Sequence, residues 1–229
     1  MSEYSDGLTG PGALLSALPD EATAALKKHA VLKRCEDGRM IHAKGDPPTG
    51  LYGIVEGHVR VSNTRADGTV LQVAVLGPGQ WFGEISLFDG LPRTHDAHAM
   101  GDVSLLVIDG ARFDALLEHQ PALYRPFIVL LCRRLRLAFA AFDDAAMLTL
   151  PQRLAKLLLS LAEDYGRPDA NGTRIGLHLT QEELGQMLGV TRVSVGKLLK
   201  GWERDGAIAL GYGRVVVVDP DTLAALLAD

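Results

Sequence analysis

Thr180-Gln-Glu-Glu-Leu-Gly-Gln-Met-Leu-Gly-Val-Thr-Arg-Val-Ser-Val-Gly-Lys-Leu-Leu-Lys200 carries two helix starts and one sharp stop. Thr180 with Glu183 three residues later forms a capping box. The threonine hydroxyl takes the third helical amide, and the glutamate reaches back to the threonine amide. The helix so opened runs to Leu188 and ends at Gly189, which adopts the left-handed conformation a tight turn needs. Thr191 then caps a second helix, Arg192 to about Arg204. Counted from Gln181 as position 1, two closely crossing helices need apolar residues at positions 4, 8, 10, 15 and 18, a small residue at 5 and glycine at 9. Leu184, Leu188, Val190, Val195, Leu198, Gly185 and Gly189 fill all seven. The stretch reads as a helix-turn-helix.

The chemistry on its second helix points to nucleic acid. Arg192, Val193, Ser194, Lys197 and Lys200 stand where base edges and phosphates of a major groove are met, with Thr180, Gln181 and Thr191 at the helix starts. Between Gln186 and Arg214 five basic residues face two acidic ones, in a chain whose net charge is −5. Downstream, Ala207–Leu210, Gly211-Tyr-Gly-Arg214 and Val215–Val218 read as a hairpin, a wing with Arg214 at its tip for a backbone phosphate.

Upstream lies a single long helix, about Pro121 to Met147, with proline where a helix can begin. Tyr124, Ile128, Leu131, Leu135, Ala138, Phe142 and Ala145 step by 4, 3, 4, 3, 4 and 3, which is a heptad seam. Such a seam packs on a second copy of itself, so Ile128, Leu131, Leu135, Ala138 and Phe142 are the expected dimer contacts. The alternative is a helix lying on its own β domain. Arg133, Arg134 and Arg136 fall off the seam and are expected in solvent.

From Arg39 to Leu106 the texture is short apolar runs cut by glycine. Leu51–Val55, His58–Ser62, Val70–Val75 and Ser104–Ile108 read as strands, and Asp67-Gly68 as a hairpin turn. Ahead of them, Pro11 to Leu32 has helical spacing in Leu14, Leu15, Leu18, Ala22 and Leu26. Many short strands with glycine turns predict a small β-barrel or jelly roll.

Within that region Trp81-Phe-Gly-Glu-Ile-Ser-Leu-Phe-Asp-Gly-Leu-Pro-Arg-Thr-His-Asp-Ala97 has the makings of an anion site. Gly83 permits close backbone approach, Glu84–Phe88 makes one helical turn, and Arg93 grips a phosphate. Glu84 beside a phosphate fits a role as acceptor for a hydroxyl, as of a ribose. A surface turn with a solvated ion pair accounts for the same residues.

The whole order resembles the CRP/FNR family of bacterial transcription regulators. The resemblance covers roughly Met40 to Val218. It rests on Gly45-Asp46, Leu51-Tyr52, Val55-Glu56-Gly57, Phe82-Gly-Glu-Ile-Ser-Leu, Arg93-Thr94 and the helix-turn-helix. It implies an α+β chain of three parts: an N-terminal β-roll (jelly-roll-like) sensor domain over 1–120, a dimerisation helix over 121–148 and a winged helix-turn-helix over 149–229. It implies that Gly83 and Glu84, with Ile85 and Ser86, meet ribose and phosphate, while Arg93 and Thr94 hold a cyclic phosphate. It further implies that ligand binding re-aims the two recognition helices of a homodimer on a two-fold operator of double-stranded DNA. RNA polymerase is a further implied partner, and the expected compartment is the cytoplasm.

Two departures bear on what is bound. Registered on Arg133-Arg134-Leu135, the positions that contact adenine in cAMP-responsive members are here Ala138 and Phe139, neither of which hydrogen-bonds a base amine. Val193 replaces a glutamate of the recognition helix and can touch a thymine methyl but accept nothing from cytosine. The effector is therefore cAMP, another cyclic nucleotide, or none, the last being a constitutive regulator with a vestigial pocket. No cofactor is certain beyond that effector, with haem a remote alternative left open by His42, His58, His95 and His98 of the β region.

Composition excludes other classes. Hydrophobic content of 47% with 22% charged residues describes a folded chain. Two cysteines, Cys35 and Cys132, are too few for a disulfide framework or an iron–sulfur cluster and are expected as packed thiols. Met1–Gly12 has neither the basic nor the apolar segment of a secretory leader, and no apolar run approaches the ~20 residues of a membrane span. A metal-dependent cupin-like enzyme is the competing class. Its site needs two histidines with a single residue between them on a strand, so that both face inward, whereas His95 and His98 are three positions apart. No metal ligands and no catalytic residues are expected.

Overall fold

The computed structural model describes residues 18–228. These form two compact units, one ending at Leu135 and the other beginning at Arg136.

The first unit contains α1 (Asp20–Lys27), β1 (Val31–Cys35), β2 (Met40–His42), β3 (Gly50–Thr64), β4 (Val70–Leu76), β5 (Trp81–Phe82), α2 (Glu84–Asp89), β6 (Asp96–Asp109) and α3 (Gly110–His119). A 3-10 turn at Pro121–Leu123 leads into α4 (Tyr124–Met147). The strands make one antiparallel sheet in the order β1-β6-β3-β4, with β2 also paired to β6 and β5 to β3. Two expected strands, Leu51–Val55 and His58–Ser62, are one: β3 runs for 15 residues. Its register against β6 shifts on both sides of Glu56, and Gly57 stands at φ +79°. Bulges bend and twist a strand without ending it, so β3 and β6 turn the corner together and close a roll. The Asp67-Gly68 turn joins β3 to β4, with the Gly68 amide donating to the Arg65 carbonyl at 3.0 Å.

The expected helix over 11–32 is shorter. Pro11, Leu14 and Leu15 lie outside the described residues, and α1 covers only Asp20–Lys27. Leu32 belongs to β1, opposite Leu106 of β6. The backbone of the long strand β6 offers a ladder there, and tertiary pairing outweighs the local apolar spacing.

Two apolar clusters hold this unit. Tyr52, Val59, Phe82, Ala97 and Leu105 fill the roll. Leu26, Leu51, Ile108, Phe113 and Phe127 tie α1, α3 and the start of α4 to its outside. Phe113 and Phe127 meet edge to face at 5.3 Å, a geometry that aromatic quadrupoles favour. On the first part of α4 the heptad residues Ile128 and Leu135 are 57% and 54% exposed, Leu131 is half-buried and the Tyr124 ring lies 6.2 Å from that of Phe88, whereas Phe127 and Leu130 are buried.

The second unit holds the rest of α4, then α5 (Leu150–Tyr165), β7 (Gly166–Asp169), β8 (Gly172–Ile175), α6 (Gln181–Leu188), α7 (Arg192–Arg204), β9 (Ile208–Gly211), β10 (Arg214–Val217) and α8 (Pro220–Ala225). Its sheet has the order β7-β8-β10-β9. The wing hairpin β9–β10 stands where the sequence puts it, but β7 and β8 extend it to four strands. Pro168 and two glycines mask that hairpin in the sequence. Ile175, Val215, Val217 and Ile208 supply the buried face of the sheet. Among the described residues no helix is long and apolar enough to cross a membrane.

Candidate functional site

The anion-site segment folds into β5, a turn and α2. Gly83 stands at φ +92° as the residue before α2. A Cβ there would lie 2.8 Å from Arg93 Nη1 and 3.0 Å from the Gly50 carbonyl oxygen. Only glycine lets the backbone come this close. Arg93 is buried and donates through Nη1 to the Gly83 carbonyl and through Nη2 to the Gly50 carbonyl, each at 2.6 Å. Its guanidinium lies 5.6 Å from the Tyr52 ring centre. Burial lowers its affinity for the proton, while Tyr52, Glu84 and Asp46 act in the opposite direction.

Glu84 is fully buried. Its partner is Arg134 of α4, which also donates to the Trp81 carbonyl at 2.6 Å. The expectation that Arg134 is solvated is therefore wrong. The signal was present: Phe127, Leu130 and Arg134 step by 3 and 4 along the buried face of α4, so Arg134 follows two core residues. Among the polar atoms without protein partners in this buried place are Glu84 Oε2, Arg93 Nε and Arg134 Nε. An orphaned carboxylate oxygen and an orphaned guanidinium donor fit a ligand that brings both a hydroxyl and an anionic oxygen.

The neighbouring residues are placed as follows. Ser86 is buried and its hydroxyl donates to the Pro92 carbonyl at 3.3 Å. Thr94 is exposed, with its hydroxyl 2.9 Å from His95 Nδ1. Ile85 is exposed at the surface of α2. Ala138 and Phe139 are exposed on α4. Cys132 is also exposed on α4, so only Cys35, half-buried, fits the expectation of a packed thiol.

His42 belongs to this group without having been singled out as a site residue. It lies on β2, its ring 5.8 Å from that of Tyr52 and 6.0 Å from that of Phe82. Burial, then the charge of Arg93, pushes its pKa down from 6.5 to about 4. Its Nδ1 is buried without a partner.

In the second unit the two helices of the helix-turn-helix start and stop at the residues read from the sequence. Thr180 Oγ1 accepts the Glu183 amide at 3.1 Å, and the Thr180 amide donates to the Glu183 carboxylate at 2.7 Å. Gly189 ends α6 at φ +68°. A Cβ on Gly185 would stand 2.7 Å from the Val190 carbonyl oxygen, which is why position 5 takes no side chain. Arg153 of α5 donates to the Leu188 carbonyl at 2.7 Å and so closes the end of α6.

Helix α7 buries Val195, Gly196 and Leu199. It leaves Arg192, Val193, Lys197 and Lys200 exposed and Ser194 half-buried. Thr191 is exposed and accepts the Ser194 amide. Gly196 is a feature the sequence reading passed over. The Gln181 side-chain oxygen lies 2.7 Å from where its Cβ would be, so Gln181 reaches across to α7 only because Gly196 is bare. At the wing tip the Leu179 amide donates to the Gly213 carbonyl at 2.9 Å, and the His178 ring meets the Tyr212 ring edge-on at 5.9 Å. The tip is thereby fixed beside the start of α6, with Tyr212 and Arg214 exposed.

Comparison with known proteins agrees with both halves. Residues 32–120 match the cyclic nucleotide-binding domain, and residues 152–226 the Crp-like helix-turn-helix domain. The chain is 30% identical over 219 residues to the CRP-like cAMP-activated global transcriptional regulator of Mycobacterium tuberculosis, covering 96% of this chain and 98% of that one. It is 31% identical over 211 residues to the cyclic AMP receptor protein of Thermus thermophilus, covering 92% of each. A solved CRP/FNR-family transcriptional regulator from the same Thermus species superposes with a TM-score of 0.74 at 27% identity, covering 87% of this chain and 99% of that one. A β-roll that buries an arginine and a glutamate side by side, followed by a long helix and a winged helix-turn-helix, thus lies within a likeness that runs along nearly the full length of these relatives. The chain belongs to the CRP/FNR family, the DNA-binding transcription regulators built from a cyclic nucleotide-binding domain and a Crp-like helix-turn-helix, and is not an enzyme.

Proposed function

We propose that the protein is a cytoplasmic homodimeric regulator that binds a two-fold symmetric DNA operator and is gated by a cyclic nucleotide inside the β-roll. The observation that carries the gating is the pair of orphaned atoms, Glu84 Oε2 and Arg93 Nε, on side chains whose other polar atoms are held by the protein. A ribose hydroxyl donates to the first and a phosphate oxygen accepts from the second. The relatives named for cAMP support the same ligand class. Gly83, Ile85, Ser86 and Thr94 complete the pocket in this reading, and Ala138 and Phe139 carry no side-chain group that hydrogen-bonds a base.

Dimerisation buries the exposed seam of Ile128, Leu131, Leu135, Ala138 and Phe142 on its own copy. Each chain then reads one half-site, with the two half-sites one helical turn apart. Arg192, Val193, Ser194 and Lys197 face base edges, with Lys200 and Arg214 on phosphates. Thr180, Gln181 and Thr191 lie near the backbone. RNA polymerase is the partner through which such a dimer acts on transcription.

Calorimetric titration of the purified protein with cAMP, then with other cyclic mono- and dinucleotides, tests the reading, with Arg93→Leu as control. Saturable binding of one nucleotide that the control loses is the expected result. Silence for all of them shows that Ala138 and Phe139 have abolished recognition and that the regulator works without a nucleotide.

A further inference from the structure

The sheet of the second unit carries an arginine band that the helix-turn-helix does not account for. Cross-strand register sets Arg167 of β7 directly opposite Arg174 of β8, and Arg174 opposite Val216 of β10. Because successive residues alternate faces, Arg214, two residues before Val216, shares that face. The opposite face is the buried one. Three arginines therefore occupy the outward face of one small sheet. Like charges directly opposite on neighbouring strands are destabilising, and among the described residues none of the three makes an ion pair with a carboxylate.

Their side chains spread across the sheet over bare glycines. Arg167 Nε lies 3.2 Å from where a Gly176 Cβ would be, and Arg214 Nε 3.5 Å from that of Gly211. Between them Arg174 holds its Nε buried with no partner. Asp169, the acidic residue of that face, sits at the hairpin end away from Arg214. The band is continuous with the wing tip, which the Leu179–Gly213 hydrogen bond fixes beside the first helix of the helix-turn-helix.

We infer that Arg167 and Arg174 extend the DNA-binding surface, holding the phosphate backbone of duplex flanking the operator half-site. The inference rests on the DNA-binding reading above and adds to it a surface outside the helix-turn-helix and wing tip. A polyanion is the occupant that charge complementarity selects. Continuity with Arg214 selects double-stranded DNA over an acidic protein. Cross-strand neighbours lie about 5 Å apart and diagonal ones about 7–8 Å, so the band is long enough to follow a few phosphates of one strand. Such contacts carry no sequence information and are felt as salt dependence.

The test uses the full-length protein and a duplex that the wild type selects from a randomised library. The duplex is made in a short form ending at the half-sites and in a form extended by about ten base pairs, one helical turn, on each side. The double variant Arg167→Gln/Arg174→Gln is expected to bind the extended form about five- to tenfold more weakly at moderate salt. The slope of log affinity against log salt should become shallower by about 1 to 2, as for the loss of one or two phosphate contacts. Binding to the short form should stay unchanged. Arg167→Lys/Arg174→Lys, which keeps both charges, should behave as wild type and shows that a loss is not one of folding. Equal affinity and slope for the Gln variant on both duplexes overturns the inference, and if transcription in vitro falls all the same, the band serves a protein. Equal weakening on both duplexes also overturns it, because the arginines then act inside the operator. Should the wild type select no duplex at all, the DNA-binding reading itself fails and takes this inference with it.

Discussion

Glu84 and Arg134 form a buried ion pair between the helical turn after β5 and the long helix, with the glutamate side chain fully enclosed and the arginine side chain 17% exposed. Arg134 ties α4 to the ligand pocket of its own chain, so that helix is anchored through the group expected to meet a ligand. Removing one partner of such a pair leaves an uncompensated charge in a poorly solvated place. Arg134→Ala should lower the unfolding free energy by about 3–5 kcal/mol, measured by urea denaturation. The double variant Glu84→Gln/Arg134→Ala should regain part of that loss, because it removes the stranded charge. If both variants are as stable as wild type, the pair contributes nothing to the fold.

His42 links the pocket to pH. Burial and Arg93 hold its pKa near 4 in the folded protein, against 6.5 for the free side chain. As pH falls below 6.5 the unfolded chain takes up a proton that the folded one refuses until about pH 4, so stability drops across that window. Above pH 6.5 the histidine adds no pH dependence. The loss from this residue should approach about 2 kcal/mol at pH 4, allowing for its partial exposure. His42→Phe, which keeps an aromatic ring between Tyr52 and Phe82, should flatten the curve between pH 6.5 and 4. Carboxylates titrate in the same range, so the quantity to compare is the wild type minus the variant. A difference that stays constant with pH sinks the assignment.

Much of this was legible in the chain, and for identifiable reasons. The helix-turn-helix is built from local rules, a capping box at Thr180, a left-handed stop at Gly189 and a second cap at Thr191, and each is a short-range hydrogen-bond or dihedral requirement. The strands were less legible because their ends are set by partners far away. β3 continues through Glu56-Gly57 because β6 bulges with it, and Leu32 is a strand residue because Leu106 lies opposite. Arg134 is legible only through its step from Phe127 and Leu130, and not through the seam. A heptad seam says which face of a helix awaits a partner, and it is silent on the other face, where a charged side chain finds Glu84. His42 carries no motif at all, and only the folded roll brings it beside Arg93.

Two glycines of the DNA-binding half should respond to the same substitution with opposite sign. A methyl on Gly185 meets the Val190 backbone oxygen at 2.7 Å, which has no freedom to move aside. Gly185→Ala should therefore cost about 1–3 kcal/mol and weaken DNA binding by splaying the two helices. Gly201, within α7, has open space around its Cβ position and no left-handed backbone. Gly201→Ala should raise stability by about 0.5–1 kcal/mol, from helix propensity and a less flexible unfolded chain. Thermal unfolding of the two variants separates them, and movement in the same direction would contradict the geometry.

The exposed seam predicts oligomeric state. Leu135 and Phe142 present apolar surface with nothing of their own chain over it. A glutamate in either place would have to be buried unpaired in a dimer interface. Leu135→Glu and Phe142→Glu should raise the dimer dissociation constant by at least about a hundredfold, roughly 3 kcal/mol, as read by sedimentation velocity, with the circular dichroism of each variant retained. Variants that sediment as dimers at the wild-type concentration would put the contact elsewhere.

Arg192 and Lys200 both lie exposed on α7, yet they should fail in different ways. Arg192 sits in the first turn, where a recognition helix meets base edges. A bidentate arginine–guanine contact is worth about 1–3 kcal/mol of discrimination. Arg192→Ala should lose that much on the selected site, with little change on random duplex, so the ratio of the two affinities collapses. Lys200, two turns further along, is placed for a phosphate. Lys200→Ala should weaken both duplexes alike and make the salt slope shallower by about 1. Val193 between them is 65% exposed and has no polar atom on its side chain. It can therefore contribute only through an apolar contact such as a thymine methyl. Selection with Val193→Ala should then relax preference at one A·T position and leave the rest of the site intact. Equal losses on specific and random DNA for Arg192→Ala would assign that residue to the backbone and move base readout to Ser194 and Lys197.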